Sequence, residues 1–426
     1  MKLSRLILVA APLSALLAQQ PAMHLTLAEA QRQAIANNPQ FTAARYNAAA
    51  AYQVPLQYKS AYEPSFTGSL TGVGADNGSR LAAGGLNNPV VYNRLGSGLT
   101  IGQLITDFGR TSNLVGMAKL QAAAQDQVTE TTRAQILLAV SRAYFNVLRA
   151  QAVQRVADQT VAARQVVVDQ VTELANSKLK STLDVSFANV SLSDAKLIQI
   201  QAQNDLKAAE AELATAMGLP GQAGFVLSDE PMPAPMPDQV AGLIRDALQS
   251  RPELKDLRLE ESAQERFVKA EHALYYPSVG VVGTAGFAPA AYEAVAGRYG
   301  AVGMNVNIPI FNGGLFKARQ TQAELKAKAA GQNVNDLENR ITRDVRVAYL
   351  NANTAYDRMA VTRQLVDQAT QALDLAQTRF DNALGNIVEL TTAQLNQTSA
   401  EIADTNARYD YQTQRVILDY QVGALR

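Results

Sequence analysis

Few side chains in this chain could carry chemistry. The 426 residues hold no cysteine and two histidines, His24 and His272. That removes disulfides, thiolate metal sites, Fe–S clusters and cysteine nucleophiles together. One chain with two histidines cannot build a multi-histidine centre. There is no P-loop, no GxSxG elbow and no HExxH pair. His24 lies near the start of the mature chain and His272 near a helix end; both read as surface or joint residues. The chain is expected not to be an enzyme and to need neither metal nor cofactor. Lys+Arg and Asp+Glu both number 38, so the formal net charge is zero. That balance speaks against a nucleic-acid partner, which favours a basic face. Two carboxylates stand out by position. Asp184 and Glu389 each follow a polar break in a long helical stretch, where a negative charge suits a helix N-terminus.

The elements that position these residues begin after an export signal. Lys2 and Arg5 precede an apolar run from Leu6 to Leu17, the pattern of a secretory leader. Residues 1–18 are expected to be removed, with Ala18 as the last. The run is shorter than the roughly 20 residues of a transmembrane helix, and no other long apolar stretch follows.

The rest is a duplication. Pro39 and Pro252 lie 213 positions apart, as do Pro64 and Pro277. Tyr144 and Tyr349, Asp184 and Glu389, Ala195 and Ala400, and Gly218 and Gly423 lie 205 apart. Phe108 and Phe311, 203 apart, are paired between them. The repeats are 24–218 and 239–423. A Pro-rich linker, 219–238, joins them.

Each half reads helix, two strands, very long helix, helix. Met117–Met217 contains neither Gly nor Pro and is rich in strong helix formers. Ile136, Val140, Ala143, Val147 and Ala150 recur at three- and four-residue steps, a coiled-coil seam. The first half should carry an opening helix over 26–62, a long helix over 110–175 and a return helix over 183–217. The second should carry 240–275, 314–380, mildly broken at Gly331, and 387–422. Two short helices end to end match one long helix, which predicts a rod of roughly 100 Å.

The strands are expected at 65–74, 95–104, 278–287 and 301–311. Val302, Met304, Val306, Ile308 and Ile310 alternate with Gly303, Asn305, Asn307 and Pro309. Period two marks one apolar and one polar face. About nine to eleven residues span a bilayer when tilted. Four strands cannot close a barrel, and an open edge in lipid is not tolerated, so the chain should associate with itself. A soluble β-domain with one buried face would show the same alternation. The rival is thus an exported soluble coiled-coil scaffold or adhesion rod with a small β end domain.

Short motifs mark the same places in both halves. Leu27-Ala28-Glu29-Ala30 with Asn37-Asn38-Pro39 has its second copy in Ala247–Pro252. The joints are Glu63-Pro64-Ser65 and Tyr276-Pro277-Ser278, then Asp107-Phe108-Gly109-Arg110 and Ile308–Gly314. Leu183-Asp184-Val185, Val388-Glu389-Leu390, Gly218 and Gly423 complete the set. No single motif is specific; the ordered series, repeated twice, is. In that order the chain resembles the TolC family of outer-membrane efflux proteins.

The resemblance implies a mainly α protein with a membrane β-barrel, closed as twelve strands by a homotrimer in the outer-membrane lipid. A helical barrel would stand in the periplasm. The implied function is a passive exit duct of a tripartite efflux or type I secretion system. A periplasmic adaptor and an inner-membrane transporter of RND or ABC type would be its partners. Ala75–Arg94 and Ala288–Arg298 would face outside. The tips, Lys178, Leu179, Lys180, Ser181 and Thr182 with Leu384, Gly385, Asn386 and Ile387, would meet the adaptor. Family members close their periplasmic aperture with acidic residues and inter-coil links. The matching positions are Glu389, Asp184, Thr392 and Phe380. Phe380 stands where a Tyr would offer a hydroxyl, and Gly385 where an Arg might pair.

Overall fold

The computed structural model describes residues 23–76, 93–221, 224–236, 239–289 and 297–425. The expected leader and most of the two strand-connecting loops lie outside them. The first half runs β1 (Met23–Leu25), α1 (Leu27–Asn37), α2 (Pro39–Ala51), α3 (Val54–Lys59), β2 (Ser65–Val73), β3 (Arg94–Thr106), α4 (Arg110–Asn176) and α5 (Thr182–Ala216). β4 (Phe225–Leu227) follows. The second half runs α6 (Val240–Ser250), α7 (Pro252–His272), β5 (Ser278–Phe287), β6 (Arg298–Asn307), α8 (Leu315–Asp381) and α9 (Ile387–Val422).

The opening segments are divided rather than continuous. Asn38 is extended at φ −72° and ψ 121°, and Arg251 at φ −60° and ψ 124°. Each precedes a proline, whose ring disfavours helical geometry in the residue before it. Gly331 does not interrupt α8. Its missing side chain instead leaves room for Glu261, whose Oε1 would stand 2.9 Å from a Cβ there.

The chain forms two compact units. One comprises Met1–Asn38, Ile136–Met236 and Asn351–Val416. In it β1 and β4 pair in parallel, His24 opposite Val226. The buried Tyr144 hydroxyl lies 3.1 Å from the Leu25 carbonyl and 2.6 Å from that of Ser228. Burial pushes that phenol well above its usual pKa. Tyr411 donates to the Ala234 carbonyl at 2.7 Å, and the Gln412 amide to that of Glu230 at 3.1 Å. The Pro-rich linker is therefore tied down by buried polar side chains. Gly218 ends the α5 segment at φ 72°, where a Cβ would sit 2.8 Å from the Asn37 carbonyl oxygen.

The other unit comprises Pro39–Gln135, Pro237–Leu350 and Ile417–Arg426. It holds one antiparallel sheet of order β2-β3-β5-β6. The register places Phe66, Ile101, Gly283 and Val302 on one row, and Leu99, Ala285 and Gly68 on the next odd row. That face also carries Leu70, Leu95, Val279, Val281, Met304 and Val306. The opposite face is mostly polar or small, with Ser65, Thr67, Gly98, Thr100, Gly102, Thr284 and Asn305, and also carries Leu104, Val282 and Tyr299. Val302 is 83% and Met304 71% exposed, so the apolar face is uncovered within the chain. Below the sheet, Leu114, Met117, Ala263 and Ala270 pack with Phe267 and Tyr58. The buried Glu271 accepts two hydrogen bonds from Arg319, at 2.6 and 3.0 Å.

The strand-to-helix joints revise one sequence pairing. Asp107 caps α4 through the Thr111 amide at 2.7 Å, and Asn312 caps α8 through the Phe316 amide at 3.4 Å. Phe108 and Gly109 take positive φ, as do Gly313 and Gly314. Phe108 therefore corresponds to Gly313, at the 205 offset, and not to Phe311. The offset changes once, from 213 to 205, between the first and second strand of each hairpin.

Candidate functional site at the helical tips

The two tips share one backbone plan. At the first, Lys178 takes φ 61°, and the Leu179 amide returns to the Leu174 carbonyl at 2.8 Å. At the second, Ala383 takes φ 58°, and the Leu384 amide returns to the Arg379 carbonyl at 2.7 Å. A left-handed residue followed by such a return bond satisfies the last carbonyls of a helix. Ser181 then caps α5, its hydroxyl accepting from the Asp184 amide at 3.2 Å. Asn386 caps α9, its Oδ1 accepting from the Glu389 amide at 2.8 Å.

The side chains differ. Asp184 turns back and accepts from the Ser181 amide at 2.9 Å, completing a capping box. Glu389 instead forms an ion pair with Arg379, Nε to Oε1 3.1 Å, and Arg379 also donates to the Leu384 carbonyl at 3.2 Å. The basic partner thus comes from one turn up α8, not from position 385. Phe380 is 2% exposed and packs with Val167, Val168, Val171, Ala188, Leu192, Ile387 and Leu390. The Lys180 ammonium lies 4.3 Å from its ring centroid. Deeper in the same unit the buried Arg164 guanidinium donates to the hydroxyls of Ser191 and Thr398, the latter at 3.5 Å. Burial pulls its pKa down.

Two expectations change. Phe380 and Ile387 are core residues of the tip and present no surface to an aperture or a partner, because their apolar side chains join the two hairpins. Leu179 (71% exposed) and Leu384 (72% exposed) stand at the ends, with Lys178, Ser181, Thr182 and Asn386 also exposed. Lys180 and Gly385 are half-exposed, and Thr392 is exposed on α9.

The profile of the outer membrane efflux protein family matches residues 30–219 and 243–424, which is both repeats. The chain belongs to this family. It is similar to the outer membrane protein TolC of Escherichia coli K12, 24% identical over 94% of this chain and 82% of that one. It is similar also to the outer membrane efflux protein BepC of Brucella suis, 25% identical over 92% of this chain and 84% of that one. In fold it matches the outer membrane protein VceC of Vibrio cholerae, with TM-score 0.77 and 18% identity over 93% and 96% of the two chains. The chain is an outer-membrane efflux channel with the TolC-like fold, and the soluble-scaffold alternative falls. No helix among the described residues is long and apolar enough to cross a membrane.

The sequence did not reveal β1 and β4, the Arg379 partner of Glu389, or Arg164. Arg379 had a readable signal: it stands one turn before the left-handed break, facing the first turn of α9.

Proposed function

We propose that three copies of this chain close one twelve-stranded barrel in the outer membrane and form the passive exit duct of a tripartite efflux or type I secretion system. The observation that carries this is the four-stranded sheet, in which β2 and β6 each have one edge unpaired among the described residues. An open edge in hydrocarbon leaves backbone groups unsatisfied at several kcal/mol each. Closure by copies of the same sheet removes every edge, and eight or more strands are the rule for bacterial barrels. The polar face would line the lumen and the apolar face meet lipid. No catalytic step enters this reading.

The tips would receive the periplasmic adaptor, with Leu179 and Leu384 as apolar anchors and Lys178 and Lys180 beside them. An inner-membrane transporter of RND or ABC type would supply the energy. Glu389 would contribute one carboxylate per copy to the aperture, with Asp184 and Thr392 flanking it. Arg379 holds that carboxylate in the single chain.

The deciding experiment is the mass of the assembly extracted from outer membranes in detergent. A trimer is expected. A monomer that stays soluble without detergent would overturn the duct. For the aperture, Glu389→Gln should weaken block of single-channel current by multivalent cations. Unchanged block would remove Glu389 from the pore.

A further inference from the structure

A cavity of about 390 Å³ opens beneath the two central strands, walled in part by Phe108, Asn113, Lys269, His272, Tyr276 and Gln320. Three observations set it apart. The first is Phe108. Its φ is 52°, a conformation in which a bulky L residue is strained, and its counterpart in the second half is Gly313. The ring is 56% exposed, so burial within the chain does not compensate the strain. It stacks on Tyr276, centroids 6.1 Å apart and planes at 28°.

The second is charge. Lys269 and His272 lie in the last turn of α7. Lys269 has no ion-pair partner among the described residues. The neighbouring carboxylate, Glu271, is buried and committed to Arg319. Asn113 and Gln320 already donate to the Gly109 carbonyl and to Glu324. The His272 ring lies 5.8 Å from that of Tyr276. Basic residues at a helix C-terminus also complement its dipole, but that accounts neither for the cavity nor for Phe108.

The third is place. β3 and β5 are the inner strands of the sheet. The joint below them lies one strand in from β2 and β6, whose edges, unpaired among the described residues, would meet other copies. Exposed aromatic rings at the end of a membrane strand suit a lipid interface better than a water-filled lumen.

We propose that this cavity binds the phosphate of a phospholipid headgroup in the periplasm-facing leaflet. Lys269 and His272 hold the phosphate, and Phe108 and Tyr276 cover the glycerol and first methylenes. The proposal rests on the outer-membrane reading of the sheet.

Two measurements test it on the full-length assembly. Native mass spectrometry in detergent should find phospholipid retained by the wild type. The double variant Lys269→Gln/His272→Gln, with unchanged assembly mass, should bind it on the order of tenfold more weakly or worse. Equal retention overturns the proposal. Displacement of the lipid by millimolar inorganic phosphate alone would mark a free-anion site and also overturn it. The chain has no tryptophan, so Tyr276→Trp gives a single reporter. In vesicles of phosphatidylethanolamine and phosphatidylglycerol with brominated chains, its emission should be quenched. Unquenched emission from inserted protein would put the joint on the lumen side and overturn the assignment. Failure to insert at all would instead count against the membrane reading.

Discussion

The two hairpin tips solve one problem with different chemistry. Both reverse the chain through a left-handed residue, at Lys178 and at Ala383, and both restart with a side-chain cap. At the first tip the carboxylate three residues on is consumed by the cap: Asp184 binds back to Ser181. At the second, Asn386 caps alone, and Glu389 is free to pair with Arg379. Duplication preserved the backbone plan and released one acid. The same divergence sits inside the tip. Phe380 fills the space between hairpins, while its counterpart at the 205 offset is Ala175.

The largest expected effect attacks that inequality. Phe380→Ala should cost about 3–5 kcal/mol, because it removes a buried ring and leaves a cavity. Hydrogen exchange should show the tip segments of α4, α5, α8 and α9 losing protection first. Protection left as in the wild type would mean that Ile387 and Leu390 suffice.

A second comparison concerns the glycines that end each repeat. At Gly218 a Cβ would meet backbone, the Asn37 carbonyl oxygen at 2.8 Å. At Gly423 it would meet the Ser250 hydroxyl at 2.7 Å, with the Arg251 amide nitrogen next at 3.2 Å. Both substitutions carry the left-handed penalty of about 1–2 kcal/mol. A rotatable hydroxyl yields more cheaply than backbone, so Gly218→Ala should lower the melting temperature more than Gly423→Ala. Equal shifts would show that the left-handed backbone, not the close approach, sets the cost.

The caps come next. Ser181→Ala should destabilise by about 1 kcal/mol, and Asn386→Ala by a similar amount. The two differ in consequence: only Asn386→Ala should alter cation block, because it moves the amide that positions Glu389. Channel recordings of both variants check this.

A pH-dependent effect contrasts α2 with α7. Burial, with Glu260 and Glu253 nearby, pushes the Asp256 carboxyl up to about 6. The corresponding first-half positions, Gln40, Ala43 and Asn47, carry no acid. A raised folded pKa means that the folded state holds the proton more tightly than the unfolded state does. Asp256 therefore opposes folding above pH 6, and the opposition fades as pH falls toward about 4. Asp256→Asn should raise the melting temperature at pH 7 and leave it nearly unchanged at pH 4. A gain of equal size at both values would contradict the shift.

Much of this was readable from the residues. Uninterrupted helix formers over Met117–Met217 and the period-two run from Val302 announced the long helices and the two-faced strands, because periodicity is a local property. Three-residue strands have no period to read, so β1 and β4 escaped; they pair with each other, and the Tyr144 hydroxyl lies against the Leu25 and Ser228 carbonyls at their ends. Asn38 and Arg251 could have been read as breaks, each preceding a proline. The pairing of Phe108 with Phe311 matched residue type where the fold matches backbone conformation. At the tips the polar turns were plain. The burial of Phe380 and the reach of Arg379 depend on how hairpins pack, which no single segment encodes.

The edges of β2 and β6, unpaired among the described residues, have a consequence for the cell's genetics. If neighbours complete the sheet as proposed, folding in the membrane becomes an act of several copies at once. In the proposed ring of three, insertion depends steeply on how many chains arrive together, and one defective chain disables two sound ones. A damaged allele expressed beside an intact one should behave as dominant, whereas a defect that blocks export and keeps the chain out of the ring should stay recessive.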